Sequence, residues 1–506
     1  MNPEAIVAGA TLILSPVSIA LIFVSVLIGV TIGALPGLSS TMAVALLLPF
    51  TIGMDPVLAI SMMAALYCAG TFGGSITAIL INTPGAPPAV ATAFDGYPMA
   101  QRGEAGRALG MAAVASVIGG VFSLIVFIIA APLLARIALS FRPQEYFALT
   151  LFGLSMLAVI AGKSALRNLI AGAFGVLVST VGIHLVTGVE RFTFGSSGLY
   201  EGIDFVPVLI GIFAISEMLN QSLALDVIKE RVRSVAVRLP SRDDFRRCWG
   251  TILRSCGIGT FIGILPAEGS TVAAIMGYNE AKRWAKNKDE FGTGAIEGIA
   301  GPETANNAAT GGAMVPTLAL GIPGSGTTAV ILAALIMHGF RPGPYLMRET
   351  PEFLYAIFTA MLIANFGFLA IGLAGAKLFS LITLVPRTFL WPSVFVLSTV
   401  GAYAYRQTMF DVWVMLIAGL VGFLALRHGF GPAPFVMGLV LGGLIEESWS
   451  QAMIIFDGNW LRFFESPTCI LFYTLTALSL LGPYIGPGLS AIARRIYPRM
   501  RSSMEE

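Results

Sequence analysis

From about residue 6 to about residue 490, apolar runs follow one another with only brief charged stretches between them. A helix needs about 20 apolar residues to cross roughly 30 Å of hydrocarbon, and several of these runs are that long. Only helices and closed barrels satisfy their backbone hydrogen bonds in lipid. Barrel strands would read as short alternating segments, which this chain lacks. Charged residues make up 11% of the 506 positions, whereas a soluble domain carries about 25%, so an ordinary soluble enzyme is excluded. The expected fold class is an all-α polytopic membrane protein, with roughly 11 to 13 transmembrane helices and several discontinuous or re-entrant ones.

Some apolar runs are too short to cross, and these cluster where glycine and proline interrupt them. Gly33-Ala34-Leu35-Pro36-Gly37-Leu38-Ser39-Ser40-Thr41 is matched 230 positions later by Gly263-Ile264-Leu265-Pro266-Ala267-Glu268-Gly269-Ser270-Thr271. A second pair follows in the same order. Gly73-Gly74 leads to Asn82-Thr83-Pro84-Gly85, and Gly311-Gly312 leads to Gly321-Ile322-Pro323-Gly324, with one residue more in the later copy. The chain therefore divides into a first transmembrane repeat (1–225), a basic linker (226–247), a second repeat (248–448), and a C-terminal part (449–506). That last part holds an external loop, an extra helix and a basic tail.

Charge orients these pieces. Lys229, Arg231, Arg233, Arg238, Arg242, Arg246 and Arg247 place the linker in the cytoplasm by the positive-inside rule, and Arg494, Arg495, Arg499 and Arg501 do the same for the tail. The first hundred residues hold no Lys or Arg, so the N-terminus is expected outside and no cleavable signal peptide is read. The two repeats then have opposite topology, as in many secondary transporters, and segment 248–278 enters and returns as a hairpin.

Helix breaks in a bilayer expose N–H and C=O groups, which persist only where protein buries them or a wet cavity meets them. Half-helix N-termini carry free N–H donors and a partial positive charge that suit a carboxylate without a buried lysine. The candidate substrate-binding residues are Ser39, Ser40, Thr41, Asn82, Thr83, Pro84, Gly85, Ser270, Thr271, Asn306, Asn307, Pro323, Gly324, Ser325 and Thr327. Small residues in membrane helices also serve close packing, and for any single Ser or Thr that is the commoner role. Glu268 and Glu303 are candidates for ion coupling, because intramembrane carboxylates are costly. Glu268 has a competing reading as a water-facing tip. For Glu303, beside Gly301-Pro302 at a segment start, the favoured reading is a helix N-terminal acid.

Other chemistries fit less well. Gly321 to Thr328 has the glycine spacing of a phosphate-binding loop, but Thr327 stands where the lysine should be. An intramembrane serine hydrolase built from Ser270 or Ser325 with His338 has one serine and one distant histidine to support it. Cys68, Cys248, Cys256, Cys469 and the three histidines are scattered, so no metal site is expected. No tightly bound cofactor and no nucleic-acid partner are expected either.

These motifs carry a resemblance. Gly33 to Thr41, Asn82 to Gly85, Asp95-Gly96-Tyr97-Pro98, Gly263 to Thr271, Tyr278-Asn279-Glu280, Phe291-Gly292, Glu297-Gly298, Glu303 to Asn307 and Leu320 to Ser325 together resemble the large membrane subunit (TctA type) of the bacterial tripartite tricarboxylate transporters. The resemblance covers essentially the whole chain. It implies secondary-active uptake of a carboxylate, citrate among them, across the bacterial inner membrane, driven by Na⁺ or protons. It also implies a small four-helix membrane subunit and a periplasmic solute-binding protein as partners. A stand-alone organic-anion symporter is the alternative.

Overall fold

A computed structural model describes residues 3–160, 165–184, 186–223, 236–266, 269–374 and 387–496. The first half runs α1 (Pro3–Ile13), α2 (Pro16–Ala34), α3 (Ser40–Leu47), α4 (Pro56–Ile81), α5 (Val90–Gln101), α6 (Ala105–Ala138), α7 (Pro143–Ile160) and α8 (Ala165–Ser179). A two-residue hairpin pairs Gly182–Ile183 with Glu190–Arg191, and α9 (Phe205–Ile210) continues through a π-helical turn into α10 (Ser216–Ser222). The second half runs α11 (Arg242–Ile264), α12 (Gly269–Trp284), α13 (Glu297–Leu320), α14 (Gly326–Met337), α15 (Pro344–Glu349), α16 (Pro351–Ala374), α17 (Arg387–Arg406), α18 (Met409–Arg427), α19 (Pro432–Ile455) and α20 (Pro467–Ile496). Helix α11 starts inside the stretch read as linker, because Ser241 and Asp244 form a reciprocal capping box there. The boundary expected at 448 falls within α19.

The matched motifs fold the same way. Proline disfavours helical geometry in the residue before it. Accordingly α2 stops before Pro36 with Leu35 extended (φ −82°, ψ 121°), and α11 stops before Pro266 with Leu265 extended (φ −76°, ψ 127°). Each extended residue donates its N–H three residues back, to Ile32 O and Ile262 O. The second break is a left-handed cap in both copies. Asn82 (φ 52°) donates to Thr77 O, and Gly321 (φ 73°) donates to Pro316 O.

Packing around the breaks repeats as well. A Cβ on Gly73 would lie 2.6 Å from Val30 O and 3.0 Å from Gly33 Cα, and one on Gly312 would lie 2.5 Å from Thr260 O and 3.0 Å from Gly263 Cα. Only glycine permits backbones to cross this closely. The geometry thus pairs Gly73 with Gly312 and Gly74 with Ala313, each 239 positions apart, the same spacing as Asn82 and Gly321. The extra residue read into the second copy is not there, because the glycine pairs are out of step by one.

Helix α13 is the axis of the molecule, and every residue from Glu297 to Ala319 is buried. It packs chiefly on α4, α5, α6, α11 and α12, and also touches α14 and α15. Around this centre the halves exchange partners: α7 and α8 pack on α19, while α17 and α18 pack on the α9–α10 segment. Among the described residues, six helices are long and apolar enough to cross a membrane: α2, α4, α6, α9–α10, α16 and α18. The count is lower than roughly 11 because length and hydropathy pass over helices such as α13. That helix has 24 residues but is rich in Gly, Asn and Thr, which its complete enclosure by protein permits. The chain is an all-α, multi-pass membrane protein.

Candidate functional site

Both kinds of break open onto one cavity of about 670 Å³. Its wall is built from helix starts. Ser39, Ser40 and Thr41 begin α3; Ser270 and Thr271 begin α12; Ser325, Gly326 and Thr327 begin α14. The stretch Thr83 to Pro88, with Val90, leads into α5.

These starts associate in pairs, each with one member from either copy. Thr41 and Thr327 hydroxyls lie 2.7 Å apart at the tips of α3 and α14. Just past the far ends of the same two helices, Thr51 Oγ1, in the 3-10 turn that continues α3, lies 3.1 Å from His338 Nε2, so α3 and α14 run side by side in the same direction. Helices α12 and α5 are paired likewise, with Ala91 in one cluster with Ala274 and the Phe94 ring 5.3 Å from that of Tyr278. All four helices therefore present their N-terminal ends to the cavity.

The tips of α3 and α14 are capped by their own sequence. Ser39 Oγ accepts the Met42 N–H at 3.2 Å, and Ser325 forms a capping box with Thr328. The remaining N–H groups of each first turn have no acceptor within the helix and supply a partial positive charge. The α5 start contributes less, because Pro87 and Pro88 carry no N–H. Tyr67 closes one side, its hydroxyl 3.5 Å from Ser325 Oγ, and Thr71 lies one turn along. The opposite wall comes from Ile212, Phe213, Glu217 and Gln221 on the α9–α10 segment, and from Leu426, Gly431, Pro432 and Pro434. Glu217 is the one charged lining residue among those described, and Gln221 Nε2 donates to it at 2.8 Å. A site rich in N–H and hydroxyl donors, without Lys or Arg, can bind an anion and still release it.

Ten of the fifteen candidate residues line this cavity: Ser39, Ser40, Thr41, Thr83, Pro84, Gly85, Ser270, Thr271, Ser325 and Thr327. Five do not. Asn82 is spent on the left-handed cap of α4, and Pro323 and Gly324 turn the chain behind the α14 tip, where a Cβ on Gly324 would lie 2.6 Å from Ala313 O. Asn306 and Asn307 sit inside α13, donating to Thr71 O at 3.4 Å and Glu303 O at 3.5 Å. Glu268 lies outside the described residues. Glu303 needs correcting: α13 begins at Glu297, so Glu303 is a turn and a half inside the helix and completely buried, with no N-terminal role. The sequence hides this start because the Gly, Pro and Glu of the first turns interrupt the apolar run.

The sequence reading missed Tyr67, Thr71, Glu217 and Gln221. A detectable signal existed for the last two, an acid and an amide four residues apart within an apolar run. For Tyr67 and Thr71 the signal was fainter: with Ser75 they recur every four residues on one face of a largely apolar α4.

Comparison with known proteins gives the family. Residues 19–437 match the family model described as the tripartite tricarboxylate transporter TctA family. A relative from Agrobacterium vitis, named as an uncharacterized 52.8 kDa protein in the TAR-I ttuC' 3'region, is 38% identical over 493 residues, covering 97% of this chain and 96% of that protein. A second from the same organism, named as an uncharacterized protein in the TAR-II ttuC' 3'region, is 35% identical over 248 residues, 49% of this chain and 98% of its own length. No solved structure matches the chain. The chain belongs to the tripartite tricarboxylate transporter TctA family, a family of membrane transporters and not of enzymes.

Proposed function

We propose that this chain is the large membrane subunit of a binding-protein-dependent secondary-active transporter in the bacterial inner membrane, importing a carboxylate of the citrate class. A periplasmic solute-binding protein delivers the ligand, a small four-helix membrane subunit completes the complex, and a Na⁺ or proton gradient drives uptake. The N-terminus is periplasmic and the C-terminus cytoplasmic in this reading.

The observation that carries it is the convergence of helix starts from both copies on one cavity without Lys or Arg. Two or three carboxylates meet several N-terminal dipoles and the hydroxyls of Ser40, Thr41, Ser270 and Thr327. The side-by-side pairing of α3 with α14, and of α12 with α5, supports opposite topology of the two copies, since each pair joins a first break to a second. The cavity also lies between the helix tips and the α9–α10 and α18–α19 wall. Movement of the tips past that wall, as an elevator, would expose the site to one side and then the other.

The test is radiolabelled citrate uptake into proteoliposomes with each partner present or omitted, under imposed Na⁺ or proton gradients. Uptake that needs the binding protein and one gradient supports the reading and names the ion. Gradient-driven uptake without partners favours the stand-alone symporter. No uptake of citrate or of other di- and tricarboxylates under any condition would sink it.

A further inference from the structure

One carboxylate deep in α13 has no charged partner and no part in the cavity wall. Glu303 is 0% exposed. Thr92 Oγ1, on α5, donates to its Oε1, and Ser116 Oγ, on α6, donates to its Oε2 at 3.0 Å. Among the described residues no Lys, Arg or His makes an ion pair with it. Neutral hydroxyls, Ser75 on α4 also among them, do not offset the burial of a full negative charge, so this carboxylate needs a cation or a proton. Within the next four residues of the same helix three further buried oxygens also lack partners: Thr304 Oγ1, Asn306 Oδ1 and Asn307 Oδ1. Asn307 folds back onto the Glu303 turn, its Nδ2 donating to Glu303 O at 3.5 Å. Buried polar atoms are normally satisfied, and a carboxylate with hydroxyl and amide oxygens is the donor set that hard cations select.

We infer that Glu303, held by Thr92 and Ser116, is where the coupling cation is loaded, a small monovalent ion that neutralises its carboxylate. The inference rests on the transport reading above and adds the position of the ion and its route to the cavity. Two links run from this residue to the cavity wall. Thr92 lies two residues beyond Val90, and Asn306, one turn from Glu303, donates to the carbonyl of Thr71 at 3.4 Å; Val90 and Thr71 both line the cavity. Loading therefore seats α5 and α4 on α13 and sets the wall that receives the carboxylate. By linkage, bound carboxylate raises cation affinity by the same factor.

Other titratable groups on the elements around α13 are engaged elsewhere. Cys68 on α4 faces Thr310, Tyr67 faces Ser325, and Asp95 on α5 accepts backbone N–H groups of Gly292, Gly294 and Ala295. Arg107 on α6 is paired with Asp244, while Cys256 on α11 and Tyr278 on α12 pack in apolar clusters. Glu303 is thus the group that a small cation would titrate here.

The experiment uses the purified chain with no carboxylate added, which separates its failure from failure of the transport reading. Thermal stability is measured in NaCl against choline chloride, and in a second arm across about pH 5 to 9 without Na⁺, since a ligand specific to the folded state stabilises it. The wild type should respond to one of the two cations. E303Q, which carries a neutral amide, should lose that response while staying folded. S116A, which keeps the carboxylate, should shift the midpoint of the response about five- to tenfold toward higher cation concentration, the effect of one hydrogen bond. A response to Na⁺ or to pH that E303Q and S116A both retain unchanged overturns the inference, and so does a wild type that responds to neither. If E303Q fails to fold, S116A and T92A decide by the same midpoint.

Discussion

Removing the Asp95 side chain should unlatch the loop that leads into α13. Asp95 is fully buried, and its Oδ1 accepts three backbone N–H groups, from Gly292, Gly294 and Ala295, each at 2.8 Å. Ala295 is buried, whereas Gly294 is half-buried and Gly292 exposed, so in Asp95→Ala water can return to the glycines but not to Ala295. A buried N–H left without its charged acceptor costs about 2–3 kcal/mol and each rehydrated one about 0.5–1, for about 3–5 kcal/mol in all. Asp95→Asn keeps an acceptor and loses only the charge, so it should cost about 1–2 kcal/mol. Hydrogen–deuterium exchange of the 290–298 segment in detergent reads this directly. Protection of the Ala295 amide should fall roughly a hundredfold or more in Asp95→Ala and roughly tenfold in Asp95→Asn, at 1.4 kcal/mol per factor of ten. An Ala295 amide that exchanges at the wild-type rate in Asp95→Ala would refute the latch.

Further outcomes follow from particular contacts. Thr41→Val removes the 2.7 Å bond to Thr327 between the two copies. It should raise the KM for citrate uptake about five- to tenfold, the value of one hydrogen bond, and an unchanged KM would place the substrate elsewhere. Gly73→Ala and Gly324→Ala each bring a Cβ to 2.6 Å of a backbone carbonyl. Each should lower stability by about 1–3 kcal/mol, measured by thermal unfolding, and wild-type stability in both would contradict the close helix crossings. Asn82 caps α4 at φ 52°. Asn82→Ala should cost about 1 kcal/mol and Asn82→Gly a few tenths, and the reverse order would show that the left-handed cap is not what the position requires.

How far the sequence alone reaches is clearest at the breaks. Apolar runs of membrane length determined the class of fold, because a bilayer leaves the backbone few ways to satisfy its hydrogen bonds. Leu35-Pro36 and Leu265-Pro266 determined where two helices stop, since a proline acts on the residue beside it. Ser39, Thr41, Ser270, Ser325 and Thr327 were legible for the same reason: a helix start is a local event, and its donors lie within one turn. Nothing local said which starts would meet. That α3 lies beside α14, and not beside its own sequence counterpart α12, is a consequence of how glycine contacts let α2 cross α4 and α11 cross α13. The tertiary structure also decided what became of the two most conspicuous polar groups in α13. Asn306 and Glu303 read as site residues or caps from their neighbours in the chain, yet the packing of α4, α5 and α6 encloses both completely. Burial on all sides is a property of the surrounding helices, and no residue's own neighbours in sequence can report it.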